Sequence, residues 1–285
     1  AANLGTENAL GEHLLSGLNP SGVPKGLTGT SIPFRYNRLD ELQAIVAAHG
    51  KDLAAIVMEP IRSLKPLPGF FEGVRALADE TGAVFVVDEI SAAFRMNTGG
   101  AHLILGIKPD MAVFSKALGN GYPIAAVIGK GHVMDAAQSS FISSTYWTER
   151  IGPTAALATI EKHRRHDIGR HLMRLGEAVQ AGWAARSQKR GVPIDVGGIP
   201  PISHFAFQSD KAMALKAFFI QCMLEKGFLA STIFYATYAH QDSHVERYLT
   251  AVDEAFATIA DLTSSGSLEK KMKGAPATQG FTRLA

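Results

Sequence analysis

The sequence lacks several features that would point to particular classes of protein. It has one cysteine, Cys222, in 285 residues, which excludes an intramolecular disulfide framework and is typical of a reducing compartment. No apolar run is long enough for a membrane span, and residues 1–20 have no basic start followed by an apolar block. The net charge is only +2, which argues against a nucleic-acid or membrane surface. We therefore expect a cytoplasmic protein with no nucleic-acid or membrane partner.

What the chain does contain is typical of a globular α/β protein. Hydrophobic residues make up 46% and charged residues 19% of the sequence. Short apolar runs alternate with segments of helical period, which predicts a mostly parallel sheet with helical crossovers. We expect a large domain over residues 1–165, a smaller α+β domain over residues 166–264, and a flexible tail over residues 265–285.

The hydrophobic periodicity also predicts individual elements. Helices are expected at residues 39–49, with Asn37 as a possible cap, and at 71–81, 153–190, 211–226 and 244–262. Strands are expected at residues 53–58, 83–87, 111–114, 124–128, 193–196, 204–208 and 228–231. The neighbours of Cys222 are apolar, so this thiol is interpreted as part of the core.

Two of these strands end in charged residues of opposite sign. The run at 83–87 leads into Asp88-Glu89, and the run at 111–114 leads into Ser115-Lys116 and a glycine-rich loop. Ligands of open α/β sheets bind at the carboxyl ends of the strands, so a buried carboxylate and a buried lysine are expected to face one crevice. A desolvated lysine can attack an aldehyde, and a carboxylate can keep a pyridinium nitrogen protonated. The pattern indicates a Schiff-base site for a pyridoxal cofactor, and no metal ligands are assigned.

The order and flanks of these residues carry a family resemblance. Glu59-Pro60 is followed by Asp88-Glu89-Ile90 with Phe94-Arg95, then by Pro109-Asp110, then by Ser115-Lys116-Ala-Leu-Gly-Asn-Gly-Tyr-Pro-Ile. This succession resembles the class III pyridoxal-phosphate-dependent aminotransferases, and within them the glutamate-1-semialdehyde aminomutase branch. The resemblance covers most of residues 20–262. It implies the fold-type I architecture, pyridoxal 5′-phosphate as cofactor, and a homodimer with its site at the interface.

The resemblance also assigns roles to single residues. It implies that Lys116 forms the Schiff base and shuttles the proton, that Asp88 pairs with the pyridine nitrogen, and that Ile90 packs under the ring. Thr148 falls where the family places a threonine that reaches the phosphate of the partner's cofactor. Glu59 is implied as a supporting or substrate-gating carboxylate.

Several of the candidate residues also have a purely structural interpretation. Arg95 is a candidate for substrate contact, but it could equally pair with a structural carboxylate. Thr148 could be a solvated loop threonine, and Glu59 before Pro60 could be structural. The basic residues 163–166 are expected to form a solvated helix face.

Alternative functions stay open at this point. The implied reaction is transfer of an amino group between an amino donor and a keto acid, aldehyde or keto sugar, but an intramolecular aminomutase would use the same groups. The family's N-terminal part, with its phosphate-binding loop, is not found in this sequence, so a non-catalytic fragment is a further alternative. Residues 84–89 also resemble the magnesium-binding strand of P-loop ATPases, but the sequence contains neither G-x-x-x-x-G-K-[ST] nor the G-x-G-x-x-G of nicotinamide enzymes.

Overall fold

A computed structural model describes residues 20–274 of the chain. By internal packing these residues form two compact units, one of residues 20–56 and 64–85 and the other of residues 57–63 and 86–274. These boundaries differ from the expected division near residue 165, which stays a prediction.

Helices and strands alternate along the first half of the chain, and helices predominate in the second. The helices are α1 Leu39–His49, α2 Phe70–Thr81, α3 Ala101–Ile104, α4 Gly131–Met134, α5 Ile151–Arg165, α6 Ile168–Arg190, α7 Ala212–Glu225, α8 Asp242–Ser264 and α9 Leu268–Lys271. The strands are β1 Ala55–Met58, β2 Val84–Asp88, β3 Met111–Phe114, β4 Ala126–Gly129, β5 Ile194–Gly197, β6 Ile202–Phe207 and β7 Ile233–Tyr235.

The first sheet places the ends of β2 and β3 side by side. Its strand order is β1-β2-β3-β4, with β2 and β3 parallel and β3 and β4 antiparallel. Asp88, the last residue of β2, lies opposite Val113, and β3 ends two residues before Lys116. Because parallel strands end at the same edge of a sheet, Asp88 and Lys116 leave the sheet at one edge. The predicted α/β class is confirmed.

In the first unit, α1 and α2 pack through a single buried face each. Leu42 of α1 is buried, and α2 buries Phe70, Phe71, Val74 and Ala78. The helix α1 has the predicted bounds, but the prediction that Asn37 caps it was wrong, since the N-cap position is Arg38. The side chain of Asn37 instead accepts the Leu67 N–H and donates to the Lys65 carbonyl, each at 2.9 Å.

In the second unit, the antiparallel sheet β5-β6-β7 packs with α6, α7 and α8 around an aromatic core. Trp183, Phe219 and Phe256 are fully buried there, and the Trp183 indole donates to the Tyr248 hydroxyl at 3.0 Å. Cys222 is buried in this core, as predicted. Burial raises the pKa of its thiol, which makes it a poor nucleophile.

Two sequence-based expectations differ from the structure in this half of the chain. The long helix expected over residues 153–190 is divided between α5 and α6, because Asp167 adopts a left-handed backbone conformation with φ of 47°. The strand expected at residues 228–231 is wrong. The Phe228 N–H instead bonds to the Met223 carbonyl at the end of α7, and β6 pairs with residues 233–235.

The segment expected to be a flexible tail begins with ordered structure. Residues 268–271 form α9, and Leu268 is buried in the aromatic core. Residues 275–285 lie outside the described part of the chain. None of the helices within residues 20–274 has the length and apolar character that crossing a bilayer requires.

Candidate active site

Lys116 stands at the first turn beyond β3. It opens a 3-10 turn over Lys116–Leu118 and has a left-handed backbone with φ of 45°. The loop after it closes on itself, because the Ser115 hydroxyl donates to the Ile124 carbonyl at 2.9 Å. A side chain at Gly119 would overlap the Tyr122 carbonyl, so this tight loop requires glycine at that position. The tight loop therefore fixes the backbone position from which the Lys116 side chain extends.

The ammonium group of Lys116 is directed to a hydroxyl on the neighbouring segment. Its Nζ donates to the Ser91 Oγ at 2.7 Å. The expectation of a buried lysine was wrong, since Lys116 is exposed. Lys116 lies beyond the last paired residue of β3, so neighbouring strands do not enclose its stem.

Asp88 marks the same sheet edge from β2. It is half-buried, and its Oδ1 accepts the Ile90 N–H at 2.9 Å. Ile90 is also half-buried, and this hydrogen bond holds its backbone against the Asp88 carboxylate. That carboxylate is the one predicted to pair with the pyridine nitrogen. The structure thus brings three of the predicted residues, Lys116, Asp88 and Ile90, to one edge of the sheet.

Glu89, the next residue, has a different and structural role. Its carboxylate is fully buried and accepts the backbone N–H of Ala101 at 2.9 Å and of His102 at 2.7 Å. The ring nitrogen Nδ1 of His102 lies 2.7 Å from the same carboxylate. Glu89 therefore satisfies the orphan donors at the start of α3. The buried acid of the Asp-Glu pair is this helix-capping residue, and Asp88 is the one left at the sheet edge.

Ser91 accepts hydrogen bonds from three side chains of the site, and it was not predicted from the sequence. It is 7% exposed. Its Oγ accepts from Lys116 and, at 3.2 Å, from the Arg62 Nη1, and its carbonyl accepts from the Arg95 Nε at 3.4 Å. A serine three residues after Asp88 resembles any loop serine in the sequence, so only its position near the Asp88-Glu89 pair could have drawn attention to it.

Arg62 is the second residue that sequence reasoning missed. Its Nη1 also bonds to the Glu59 Oε1 at 2.9 Å. The two side chains are about equally accessible, at 27% and 29%. Glu59, predicted as a supporting or gating carboxylate, is therefore joined to Lys116 through Arg62 and Ser91.

Arg95, a candidate for substrate contact, is half-buried beside these residues. Its guanidinium lies 5.8 Å from the centre of the Tyr235 ring, and burial lowers its pKa. Within residues 20–274 no carboxylate forms an ion pair with Arg95, so the expected alternative of a structural ion pair is not found there.

His163 of α5 supports the loop that carries Arg95. Its Nε2 lies 3.1 Å from the Phe94 carbonyl, and its Nδ1 lies 2.8 Å from the Thr98 hydroxyl. Phe94 has a left-handed backbone with φ of 58°. The expectation of a solvated face was wrong for His163, which is 4% exposed, whereas Arg164, Arg165 and His166 are exposed.

Thr148 stands apart from this group. It is exposed, and within residues 20–274 no hydrogen bond joins it to Lys116, Asp88 or Ser91. It lies in a segment with large exposed apolar side chains, among them Phe141, Tyr146 and Trp147. Its predicted contact with a partner's cofactor involves a second subunit and stays a prediction.

Comparison with known proteins places this chain in a family. The family model described as aminotransferase class-III matches residues 32–255. The chain belongs to the class-III aminotransferase family. The predicted family, and with it the fold-type I architecture, is confirmed.

The individual relatives include both aminotransferases and an aminomutase. The chain is 32% identical over 250 residues to 3-aminobutyryl-CoA aminotransferase of Cloacimonas acidaminovorans, covering 84% of this chain and 60% of that protein. It is 29% identical over 260 residues to glutamate-1-semialdehyde 2,1-aminomutase of Heliobacterium modesticaldum, again covering 84% and 60%. The chain thus spans about 60% of the length of the curated relatives that it matches.

Two solved structures are similar to this chain in fold. The FumI protein of Sphingopyxis sp. MTA144, in its PLP internal aldimine form, superposes with a TM-score of 0.76 at 28% identity, covering 83% of this chain and 59% of that one. An omega-transaminase from Sphaerobacter thermophilus superposes with the same TM-score at 22% identity, covering 85% and 60%. The second likeness is evidence for the fold alone.

Proposed function

We propose that the protein carrying this chain transfers an amino group between an amino donor and a keto acid, aldehyde or keto sugar, with pyridoxal 5′-phosphate as cofactor. The observation that carries the proposal is the placement of Lys116 and Asp88 at the ends of adjacent parallel strands in a class-III chain. An amine for the aldehyde carbon and a carboxylate for the ring nitrogen are the donor set that a pyridoxal ring requires. When bound, the cofactor supplies an electron sink for the substrate's Cα.

The proposal gives each of the predicted residues a role. Lys116 holds the cofactor through its Nζ and moves the proton at the substrate's Cα. Asp88 keeps the proton on the ring nitrogen. Ile90 packs under the ring, and Thr148 reaches the phosphate of the partner subunit's cofactor. Glu59 acts through its ion pair with Arg62, and Arg95 contacts substrate.

The aminomutase of Heliobacterium modesticaldum among the relatives favours one second candidate. An intramolecular aminomutase uses the same lysine and the same ring-nitrogen partner, but it returns the amino group to another carbon of the same molecule. The two reactions differ in their products. A transaminase needs a separate carbonyl acceptor, whereas a mutase converts one substrate without any.

Homodimer formation and a cytoplasmic location complete the proposal. Phe141 is 98% and Trp147 69% exposed, and large apolar side chains exposed within one short segment are typical of a protein–protein interface. A reducing compartment suits a chain whose one cysteine is a buried thiol. No nucleic-acid or membrane partner is proposed.

An amine-transfer assay on the protein that carries this chain tests the proposal. A panel of amino donors is offered with keto acids, aldehydes and keto sugars, and the amino product of the acceptor is measured. We expect product with at least one pair, and its loss by several powers of ten in Lys116→Ala. Turnover of a single substrate without an acceptor would establish the mutase instead. No product from cofactor-loaded protein in either format would leave a non-catalytic member of the family.

A further inference from the structure

One loop of the second unit carries two residues of the candidate site. It runs from Glu89 to Ala101, and its ends are joined because the Glu89 carboxylate accepts the Ala101 N–H at 2.9 Å. The loop contains Ser91, which accepts from Lys116, and Arg95, which donates to the Ser91 carbonyl at 3.4 Å. The course of this loop therefore sets the position of Arg95 beside Ser91.

The loop contains a backbone bend that bulky side chains rarely adopt. Phe94 has a left-handed conformation with φ of 58°, which is costly for a residue with a Cβ and persists where its surroundings enforce it. The bend lies directly before Arg95, so a relaxed Phe94 would redirect the chain at that residue. Strained residues of this kind cluster at functional sites, so the groups that hold Phe94 are candidates for a role in the reaction.

His163 of α5 holds the carbonyl side of the bend. Its Nε2 donates to the Phe94 carbonyl at 3.1 Å, and its Nδ1 accepts from the Thr98 hydroxyl, 2.8 Å away. A carbonyl can only accept, so the ring proton lies on Nε2 in this pair of bonds. Burial lowers the pKa of His163, which keeps the ring neutral at neutral pH and leaves Nδ1 able to accept.

Other contacts fix the amide and the ring of Phe94. Its N–H donates to the Gly99 carbonyl at 2.9 Å, and its ring centre lies 6.4 Å from that of Phe114. A side chain at Gly169 would overlap the Met96 carbonyl, so α6 also approaches the loop closely. These contacts place the loop as a whole, whereas the bond from His163 orients the peptide that joins Phe94 to Arg95.

We propose that His163 is a positioning residue for amine transfer, because it holds the bend at Phe94 and thereby keeps Arg95 where it contacts substrate. The inference rests on the proposed function and adds to it a residue from the buried face of α5. His163 acts through the loop, whereas Lys116 and Asp88 are placed by the ends of strands. Loss of His163 should therefore weaken substrate binding more than it slows the chemical step.

Two substitutions separate the hydrogen bonds of His163 from its bulk. His163→Leu fills similar space without a donor, whereas the amide of His163→Gln can donate to the Phe94 carbonyl and accept from Thr98. We expect His163→Leu to raise the KM for the amino donor about 10- to 100-fold with a smaller change in kcat, because a displaced Arg95 loses a charged hydrogen bond to substrate. His163→Gln should stay close to wild type. His166→Leu, at the exposed C-cap of the same helix, is the control and should leave KM and kcat unchanged.

A double-mutant cycle shows whether the effect passes through Arg95. In an Arg95→Gln background the contact with substrate is already lost, so His163→Leu should then change KM less than about twofold. Equal effects of His163→Leu in both backgrounds, or equal losses in His163→Leu and His163→Gln, would overturn the proposal. A wild-type KM in His163→Leu would overturn it as well, and each of these results would leave the proposed amine transfer standing.

Hydrogen exchange on the cofactor-free protein tests the bend without the reaction. The Phe94 amide is bonded to Gly99, so its exchange reports opening of the bend, and peptides of α8 report unfolding of the second unit's core. Relative to α8, residues 94–99 should exchange at least about tenfold faster in His163→Leu than in wild type, but not in His163→Gln. That result would support the proposal even if no amine transfer were found. Unchanged exchange in His163→Leu, or a rise shared equally with α8, would overturn it.

Discussion

At the scale of single residues, two adjacent carboxylates have opposite surroundings. Side chains along β2 alternate between its two faces, and the alternation continues one residue past the strand, so Glu89 is buried while Asp88 stays half-buried at the sheet edge. Glu89 is bonded to two backbone N–H groups and a histidine. Glu89 therefore stabilises the fold, whereas Asp88 is the acid assigned to the proposed chemistry.

Exchanging each acid for its amide should separate the two roles. Glu89→Gln loses charged hydrogen bonds in a buried place and should lower the free energy of unfolding by about 1–3 kcal/mol, measured by urea denaturation. Asp88→Asn should unfold close to the wild-type midpoint but slow amine transfer by roughly 10²–10⁴, the usual reach of a positioned electrostatic group. The reverse pattern would mean that the ring-nitrogen partner is Glu89.

Buried His163 makes stability depend on pH. Burial lowers its pKa below the ordinary 6.5, so the unfolded chain binds the proton more tightly than the folded chain. The stability that His163 contributes is full above pH 6.5 and is lost as the pH falls from 6.5 through its lower folded pKa. The free energy of unfolding should therefore fall on acidification below pH 6.5.

A glutamine at this position tests that contribution. His163→Gln should reduce the slope of unfolding free energy against pH below 6.5 by up to about 1.4 kcal/mol per pH unit. Part of the slope should remain, because burial also lowers the pKa of His204 and of His240. An identical slope in wild type and His163→Gln would show that the proton is taken up elsewhere.

At the scale of elements, α6 depends on a close approach at Gly176. A side chain added there would overlap the carbonyl group of Pro200, and a backbone group cannot move aside as a flexible side chain does. Gly176→Ala should lower the free energy of unfolding by about 1–3 kcal/mol or more despite the better helix propensity of alanine. Gly131→Ala is the matched control, since nothing lies within 4 Å of the added atom. Equal unfolding midpoints for the two variants would contradict the packing of α6.

Elements with a clear period and a stop signal were predictable from the sequence. The helix α1 and the strand β3 have the predicted bounds, and α2 ends before Gly82 as expected. The break between α5 and α6 was not predictable, since it lies at Asp167 and not at a glycine or proline. The position of β7 was missed because strand pairing with β6, and not local hydrophobicity, decides it.

The site was predictable where strand ends determine it. Lys116 and Asp88 follow apolar runs, so their common edge follows from parallel pairing alone. The convergence of Arg62 and Arg95 on Ser91 depends on how two irregular loops fold toward each other, and no periodicity describes that. The burial of His163 likewise depends on the loop around Phe94 that it supports.

At the scale of the whole molecule, the exposed aromatic segment predicts how copies associate. Each large aromatic side chain removes roughly 150–250 Å² from water when buried, so Phe141 and Trp147 should stabilise the proposed homodimer. The double variant Phe141→Asp, Trp147→Asp should sediment as a monomer at concentrations at which the wild type is a dimer. Leu229→Asp, at a side chain that is 97% exposed elsewhere, should remain dimeric. A double variant that sediments with the wild type would show that another surface forms the dimer.

The whole account rests on Lys116 as the residue that holds the cofactor. The most direct measurement is to load the protein that carries this chain with pyridoxal 5′-phosphate, reduce it with borohydride, and locate the pyridoxyl group by peptide mass spectrometry. We expect a single adduct on the peptide containing Lys116, and none in Lys116→Ala. An adduct on another lysine of the wild-type protein, or reduction without any adduct, would contradict the assignment.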